Sequence, residues 1–181
     1  MSPNPFGYEY HDAHLSKIDQ SPEAIEKILS WVKSAKGIFY FCGNVGNGKT
    51  YFAAALWNFL EEIKEYNRTY SESEYFTEIK KVIAKDWDYS CEIKRLCETK
   101  WFILDDMGSS QMTDWQKEVL FTTVESRLSS GLPTLITSNL SLKDVKEKFG
   151  DRLYSRLRAA KNVVIELNGP DRRQSIYEDK C

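Results

Sequence analysis

The chain has 181 residues, which is enough for one domain with a single hydrophobic core. Hydrophobic residues make up 41% and charged residues 29%, with nine glycines and five prolines, so collagen-like and disordered proteins are excluded. The formal net charge of -2 excludes a general attraction to nucleic acid, and any such binding must come from a local basic patch.

Neither a membrane span nor a disulfide framework is expected. The longest uncharged apolar run covers residues 37–45, far short of the roughly 20 residues that cross a bilayer. The N-terminus lacks the basic and then apolar order of a signal peptide, so we expect a cytoplasmic protein with no membrane partner. The cysteines at positions 42, 91, 97 and 181 show neither disulfide nor zinc-ligand spacing, which predicts reduced thiols.

The first elements in the chain are predicted to be a helix, a strand and a second helix. Ser21 followed by Pro22 is a typical helix start, and Gly37 is expected to end that helix. Residues 38–42 form a short apolar and aromatic run bounded by glycines, which predicts a buried central strand. From residue 50 to about residue 66, apolar residues recur with helical spacing and predict an amphipathic helix.

The middle of the chain repeats this alternation. A weak strand is predicted at residues 69–71, followed by a helix that Ser73 caps. Residues 101–104 predict a second buried strand, and Thr113 is expected to cap a helix that extends to about residue 127. The next strand is predicted at residues 134–137.

The last part of the chain is predicted to contain a basic amphipathic helical stretch that runs to about residue 160, a strand at residues 163–167 and a tail from residue 168. Apolar strands alternate with helix-period segments throughout, which is typical of a parallel sheet with crossover helices. The sequence therefore predicts an α/β domain with a parallel five-stranded sheet between helices.

A phosphate-binding motif follows the first buried strand. Residues 43–50 read GNVGNGKT and match G-x-x-x-x-G-K-[ST], in which glycines allow unusual backbone angles and consecutive N–H groups face an anion. Lys49 would place a charge between the terminal phosphates, and Thr50 would offer its hydroxyl to Mg²⁺. The alternative, a glycine-rich turn with an accidental lysine, explains neither the strand before the motif nor the acids after it. The predicted nucleotide contacts are Gly43, Asn44, Val45, Gly46, Asn47, Gly48, Lys49, Thr50 and Tyr51.

Two acids, Asp105 and Asp106, follow the strand predicted at residues 101–104. The carboxyl ends of parallel strands meet at one edge of a sheet, so these acids are expected beside the motif. Asp105 would hold Mg²⁺ through water, and Asp106 would orient or deprotonate the water that attacks the terminal phosphate. Alone, the pair could be a strand end that meets solvent. Together with the motif it predicts a site for ATP or ADP with Mg²⁺, in which Lys49 and Asp106 are catalytic.

Three further segments appear in an order typical of one family. They are residues 103–108 (ILDDMG), 137–140 (TSNL) and 149–157 (FGDRLYSRL). With the phosphate motif, this order resembles the AAA+ ATPases of the DnaC/DnaI helicase-loader and IstB group across most of residues 20–175. The resemblance implies a P-loop NTPase with an AAA+ core at residues 21–175, an N-terminal extension at 1–20 and a tail at 176–181, and a C-terminal helical lid that is absent or minimal.

The resemblance also implies roles for single residues. Asn139 matches a sensor between the acids and the terminal phosphate, although asparagine is also a favoured turn residue. Arg156 matches the arginine finger that reaches the nucleotide of a neighbouring subunit. Arg152 competes for that role, and either arginine could form only a surface ion pair. Near the end of the chain, Arg173 matches a sensor of the terminal phosphate in cis, with Arg172 as the competing position.

Most relatives carry glutamate where this chain has Asp106, which is one methylene shorter. The resemblance therefore implies slow ATP hydrolysis that assembly or DNA stimulates, as suits a switch. Bacterial loaders of this group also carry an N-terminal domain that grips the helicase, whereas only about twenty residues precede the core here. We expect a phage or mobile-element origin, with residues 1–20 providing a partner contact or an adenine contact. Tyr8, Tyr10 and His14 would flank the adenine or only pack.

Basic residues in the last part of the chain leave direct DNA binding open. They are Lys143, Lys146, Lys148, Arg152, Arg156, Arg158 and Lys161. Against three nearby acids they give a local charge of +4, which fits a DNA contact and a solvated helix face equally well. Residues 72–98 include five basic residues, and the resemblance implies that they occupy the position of the helix that contacts single strands in relatives.

The function implied by the resemblance is ATP-controlled loading of a replicative DNA helicase by a homo-oligomer that assembles on single-stranded DNA. Two alternatives remain open. An IstB-like regulator of transposition would share the catalytic residues and deliver a transposase to duplex DNA. A monomeric small-molecule kinase would also combine a phosphate loop with a compact α/β core.

Overall fold

The computed structural model describes residues 4–84, 94–95 and 97–167. Within them, five strands form one parallel sheet, which confirms the predicted fold class. The strands are β1 (Ile38–Gly43), β2 (Asn67–Ser71), β3 (Trp101–Met107), β4 (Thr134–Ser138) and β5 (Val163–Leu167). Their order across the sheet is β2-β3-β4-β1-β5, so β4 lies between the strand before the phosphate motif and the strand that carries the two acids.

Helices cover both faces of this sheet. They are α1 (Pro22–Ser34), α2 (Lys49–Glu62), α3 (Glu72–Ala84), α4 (Asp114–Ser129), α5 (Leu142–Phe149) and α6 (Asp151–Leu157). Side chains of α1 and α2 share one buried cluster with the sheet, and side chains of α3 to α6 share another on the opposite face. Two short 3-10 turns, Tyr8–Tyr10 and Leu15–Lys17, precede α1. Among the described residues, none of the helices combines the length and the apolar character needed to cross a bilayer.

Aromatic rings fill the core beneath α1 and α2. Trp31 of α1 contacts Phe39 of β1 and Trp101 of β3, with ring centroids 5.1 and 5.5 Å apart. Phe52 of α2 packs edge-on against Phe41 of β1 at 5.2 Å. These five rings are buried, and burial of each contributes about 2 kcal/mol. The packing fixes α2 against the sheet and therefore fixes the loop that precedes α2.

One fully buried arginine joins the amino ends of β3 and β4. Arg127 of α4 is 0% exposed, and its guanidinium donates to the carbonyl oxygens of Thr99, Lys100 and Pro133 at 2.6 to 3.0 Å. Its Nε donates to the Thr134 hydroxyl at 2.8 Å. Burial lowers the pKa of Arg127 to about 10, so the side chain stays protonated at neutral pH.

The N-terminal residues lie on the outer surface of α2. The side-chain amide nitrogen of Asn58 lies 2.7 to 3.3 Å from the carbonyl oxygens of Tyr10, His11 and Ala13. Ala13 is itself buried and packs against two alanines of α2. Residues 4–20 are therefore bound to the core by both hydrogen bonds and apolar contacts.

The ends of the first two long helices differ from the prediction. α1 ends before Gly37, because Ala35 already adopts a left-handed conformation with φ 47°. α2 ends at Glu62 rather than near residue 66, because Lys64 is left-handed with φ 57°. In both places a residue other than glycine leaves the helix, which composition alone does not indicate.

The helix caps agree with the prediction at two of three positions. Ser21 and Thr113 accept backbone N–H groups at the starts of α1 and α4, as predicted. At the start of α3 the predicted cap, Ser73, was wrong. The Ser71 hydroxyl accepts the Glu74 N–H at 3.4 Å, and the Glu74 carboxylate accepts the Ser71 N–H at 2.8 Å. This reciprocal arrangement is a capping box, so α3 starts directly from the end of β2.

The basic helical stretch predicted before residue 160 consists of two helices, α5 and α6. Gly150, with φ 87° and ψ 175°, separates α5 from α6. That combination lies outside the conformations that side chains other than hydrogen readily adopt. The apolar spacing continues across the break, so the sequence pattern does not reveal where α5 ends and α6 begins.

Candidate functional site

The phosphate motif forms a tight loop between β1 and α2. Gly48, directly before α2, has φ 86°, a left-handed conformation that would strain a side chain. Gly43 lies against the end of β5, and a Cβ atom built there would be 2.3 Å from Leu167 O. The backbone path thus requires glycine at both positions. It places the amino end of α2, the positive end of the helix dipole, at the loop.

Hydrogen bonds from Lys49 and Asn47 hold this loop in place. Lys49, the first residue of α2, is buried, and its Nζ donates to two carbonyl oxygens of the loop at 2.8 and 2.6 Å. Asn47 Nδ2 donates to Leu167 O of β5 at 3.0 Å. Gln20 Nε2 donates to Asn47 O, also at 3.0 Å. The lysine charge is therefore held over a loop that β5 and the N-terminal residues hold in place.

Asp105 lies beside the loop at the carboxyl end of β3. The Thr50 hydroxyl donates to Asp105 Oδ2 at 3.2 Å, and the Thr137 hydroxyl donates to Oδ1 at 2.5 Å. Burial raises the pKa of Asp105, while the hydrogen bonds from Thr137 and Thr50 oppose that rise. A buried carboxylate has lost hydration that a bound cation could replace.

Asp106 leaves the same strand end in an unusual backbone conformation. Its φ is 59°, in the left-handed region, which Asn and Asp tolerate better than most side chains. The register of β3 with β4 shifts between Leu104 and Met107, so a bulge interrupts the ladder at the two acids. Asn139 Nδ2 donates to Asp106 Oδ1 at 3.0 Å. Consecutive strand residues normally point to opposite faces, and the bulge lets both acids reach one site.

One open cleft of about 720 Å³ is bordered by residues 45–51 of the phosphate loop and α2 and by Asp105, Asp106 and Asn139, while Gly43 and Asn44 lie outside its described lining. Its walls are the phosphate loop with the start of α2, the carboxyl ends of β3 and β4, and Tyr10 with residues 17–20. The volume lies within the range of small-molecule sites, which is roughly 300–1,000 Å³. The motif and the acids, which are far apart in sequence, therefore border one space.

Of the three N-terminal residues considered for an adenine contact, Tyr10 borders the cleft. Tyr8 is 83% exposed and stacks on His11 with ring centroids 4.7 Å apart. The His14 backbone N–H donates to the Tyr51 hydroxyl at 3.4 Å. Tyr8 and His14 are both exposed and lie outside the described lining of the cleft.

Comparison with known proteins identifies the family. The sequence model of the IstB-like ATP binding protein family matches residues 8–160. The chain belongs to this family. The replicative helicase loader DnaI of Bacillus subtilis (strain 168) is 31% identical to this IstB-like chain over 136 residues, which are 74% of this chain and 43% of DnaI. The chain therefore spans less than half the length of that relative.

Solved structures share the fold at low sequence identity. The match to the crystal structure of the DnaC helicase loader covers 90% of the IstB-like chain and 100% of the DnaC chain, with TM-score 0.76 and 22% identity. The match to the replication initiator DnaA bound to AMPPCP and single-stranded DNA covers 97% of this chain and 55% of the DnaA chain, with TM-score 0.76 and 18% identity. These likenesses confirm the predicted P-loop NTPase fold of the AAA+ type.

The IstB-like chain offers donors that suit Mg²⁺. This cation prefers oxygen ligands and is commonly held by one or two protein groups together with phosphate oxygens and water. Thr50 Oγ1 and Asp105 Oδ2 lie 3.2 Å apart at the edge of the phosphate loop. The two residues therefore fit the cation, and the catalytic roles inferred from sequence stay predictions.

The two arginines considered for the finger lie on another face, which α4 and α6 form. Arg156 pairs with Glu125, and Arg152 Nη1 lies 3.1 Å from Glu118 Oε2. The Arg152 guanidinium also lies 4.0 Å from the centroid of the Phe121 ring. Each arginine forms a surface ion pair, which was the alternative to the finger role. Both arginines lie outside the described lining of the cleft in their own chain.

The basic region near these arginines is less positive in three dimensions than in sequence. Glu118 and Glu125 of α4 pair with its arginines, which lowers the local charge of +4 by two. Lys148 and Lys161 donate to backbone carbonyl oxygens at 2.6 and 2.5 Å. These contacts favour a structural role for this surface over a DNA contact.

Part of the predicted site lies outside the described residues. Arg172 and Arg173, the candidate cis sensors, belong to residues 168–181, where the lid and the tail were also expected. Residues 72–98 were expected to contact single-stranded DNA, and within them residues 85–93 and 96 lie outside the described residues. These predictions therefore stay as the sequence left them.

Three polar residues of the site were not identified from the sequence. The Thr137 hydroxyl binds Asp105 and accepts the Asp106 N–H at 2.9 Å, Gln20 binds the loop, and Glu72 binds the segment after Asp106. The TSNL segment could have indicated Thr137, because it ends a strand beside the acids. Gln20 and Glu72 act across long separations in sequence, which no local pattern reveals.

Proposed function

We propose that this IstB-like chain binds and hydrolyses ATP and loads a replicative DNA helicase, assembling as a nucleotide-dependent homo-oligomer on single-stranded DNA. The nucleotide part depends on one observation, the 3.2 Å hydrogen bond between Thr50 and Asp105. It joins the end of the phosphate motif to an acid 55 residues later. Two motifs that are separate in sequence therefore meet in one cleft.

In the proposed reaction, the loop binds the nucleotide and the acids position the reacting groups. The loop N–H groups and Lys49 would neutralise the phosphates, and Thr50 with Asp105 would hold Mg²⁺, which would supply positive charge to stabilise the phosphates. Asp106, held by Asn139, orients the attacking water and accepts its proton. Aspartate reaches less far than glutamate, which gives the slow turnover of a switch.

Arg156 would complete the site of a neighbouring subunit. Its fixed charge stabilises the transferring phosphoryl group. ATP would then link two subunits through Lys49 of one and Arg156 of the next, and hydrolysis would release the contact. Within one chain Arg156 pairs with Glu125, so assembly exchanges a carboxylate partner for a phosphate.

Helicase loading is supported by the relatives more than by the cleft. The similar proteins DnaI and DnaC are named as replicative helicase loaders. The structurally similar initiator DnaA was solved with single-stranded DNA bound. Basic residues within residues 72–98, where the sequence predicts a contact with single strands, support such a contact here. Those described and exposed are Lys80, Lys81, Lys94 and Arg95.

A regulator of transposition is the second candidate, because the matched family is named for IstB. Such a regulator would use the same loop and acids. It would differ in its partner, a transposase, and in its preference for duplex DNA.

Reconstitution with a purified helicase separates these candidates. The chain is mixed with the replicative helicase of its host and with single-stranded or duplex DNA, and complexes are measured by light scattering after gel filtration. Helicase loading predicts a complex that requires Mg²⁺ and ATP and prefers single strands. A preference for duplex without a helicase complex supports the transposition regulator, and no nucleotide dependence in either case contradicts both.

Lys49→Ala tests the phosphate loop directly. Removing an ammonium group that is held over the loop is expected to weaken ATP binding at least about 100-fold, measured by calorimetric titration with Mg²⁺. Lys27→Ala, which changes an exposed lysine of α1, is the control and should keep the wild-type affinity. Wild-type affinity in Lys49→Ala would remove the phosphate-loop interpretation.

Arg156→Ala tests the finger. The variant is expected to keep its ATP affinity within about twofold and to lose about 1,000-fold of the stimulated hydrolysis rate, because a finger acts only on the transition state. Rates are measured at protein concentrations that permit assembly. Arg152→Ala is the matched control, since Arg152 lies one turn away and also pairs with a glutamate. Loss of the rate in Arg152→Ala alone would assign the finger to Arg152.

A further inference from the structure

Glu72 is a buried carboxylate that the proposed reaction does not use. It is the first residue of α3, directly after β2, and is 2% exposed. Its Oε1 accepts the Ser110 N–H at 3.2 Å and the Ser110 hydroxyl at 2.5 Å, and its Oε2 accepts the Gly108 N–H. Burial of a carboxylate is costly unless hydrogen bonds replace its hydration, and these three donors do so.

The donors belong to the segment that follows Asp106. Lys148 of α5 donates to Gly108 O at 2.6 Å, so Gly108 has an anion at its N–H and a cation at its carbonyl oxygen. The Ser109 N–H donates to Asp106 O at 3.2 Å, which closes a tight turn. Residues 106–110 are therefore held from two sides, by the first residue of α3 and by a lysine of α5.

Asp106 requires support of this kind. A left-handed residue other than glycine persists where its surroundings fix the backbone on both sides. Before Asp106 the backbone is fixed through its own N–H, which donates to the Thr137 hydroxyl at 2.9 Å. Beyond Asp106, Glu72 and Lys148 provide the fixed contacts.

We propose that Glu72 is a positioning residue for Asp106. By binding the backbone of residues 108 and 110, it holds the Asp106 carboxylate in the direction needed to orient water. The inference rests on the proposed ATP hydrolysis. Because Glu72 starts α3, a displacement of α3 changes the direction of the carboxylate and hence the hydrolysis rate, while the phosphate loop keeps its nucleotide.

Glu72→Gln separates positioning from binding. An amide has one acceptor oxygen, so in either orientation the variant places its NH₂ group against a backbone N–H, that of Gly108 or that of Ser110. We expect kcat for ATP hydrolysis to fall about tenfold, with KM and ATP affinity within about twofold of wild type. Glu74→Gln, two residues along α3, changes an exposed carboxylate that binds Ser71 and should leave kcat within about twofold.

Hydrogen exchange provides a second measurement that does not depend on ATP. In the nucleotide-free chain, Glu72→Gln is expected to raise the exchange rates of the Gly108 and Ser110 amides at least about tenfold by NMR, with α2 unchanged. Lys148→Met removes the opposite contact of Gly108 and should lower kcat in the same direction.

The outcomes distinguish this inference from the proposed function. Unchanged exchange and unchanged kcat in Glu72→Gln would overturn the positioning role. Parallel losses of kcat and ATP affinity would overturn it as well, because they indicate general distortion of the cleft. A wild-type chain without ATPase activity would contradict the proposed function instead, and the exchange rates would still show whether Glu72 holds the segment.

Discussion

The two ends of β3 and β4 are built in opposite ways. At the amino ends, Arg127 buries its charge completely and donates to three carbonyl oxygens and one hydroxyl. At the carboxyl ends, Asp105 is buried with a raised pKa, Asp106 is left-handed, and a bulge interrupts the ladder. The amino ends favour stability. The carboxyl ends retain strain and charge that a nucleotide and its cation would compensate, which is typical of functional sites.

Replacing Arg127 should have the larger effect on stability. Arg127→Met removes the arginine donors of the Thr99, Lys100 and Pro133 carbonyl oxygens, of which Pro133 O keeps only the Phe102 N–H at 3.3 Å, and we expect the free energy of unfolding to fall by about 3 kcal/mol. Urea unfolding followed by tryptophan fluorescence measures the change. Lys117→Met on the same helix, where the side chain is 37% exposed, should shift it by less than about 0.5 kcal/mol. A loss below about 1 kcal/mol for Arg127→Met would remove the contrast between the two ends.

Asp105→Asn should act in the opposite direction and less strongly. Burial raises the pKa of Asp105, so its ionisation opposes folding. A neutral side chain of the same shape is expected to raise the free energy of unfolding by roughly 1 kcal/mol near pH 7, without nucleotide or Mg²⁺. Urea unfolding at several pH values measures the difference between variant and wild type.

The pH dependence of this difference follows from the direction of the pKa shift. A carboxyl with a raised pKa in the folded state favours folding below its ordinary value of 3.8 and loses that contribution as the pH rises through the folded pKa. The advantage of Asp105→Asn should therefore vanish near pH 4, roughly the ordinary pKa of aspartate, and grow towards neutral pH. A variant less stable than wild type near pH 7 would contradict the strain assigned to the carboxyl ends.

The sequence indicated which residues meet at the carboxyl ends, because the motifs there are local. The eight residues of the phosphate motif and the adjacent pair Asp105 and Asp106 can be recognised without a structure. Strand and helix alternation then requires parallel strands, whose carboxyl ends meet at one edge. The contact between Thr50 and Asp105 follows from these two facts.

The amino ends and the support of Asp106 could not be predicted in this way. Arg127 stands in the apolar stripe between Val124 and Leu128, which is the one sequence signal of its burial. The Thr99 carbonyl that it binds lies 28 residues away. Glu72 looks like an ordinary acid in a first helical turn, and its partners lie 36 and 38 residues further on.

The N-terminal residues connect two properties that are usually separate. Asn58 binds the backbone of residues 10–13 on the outside of α2, while Tyr10 and residues 17–20 form a wall of the cleft. A partner protein that displaced residues 4–20 from α2 would also remove that wall of the cleft. Because coupled binding equilibria are reciprocal, a nucleotide that contacts this wall would oppose the displacement of residues 4–20. The affinity for nucleotide and the stability of the contact between residues 4–20 and α2 would then be thermodynamically coupled.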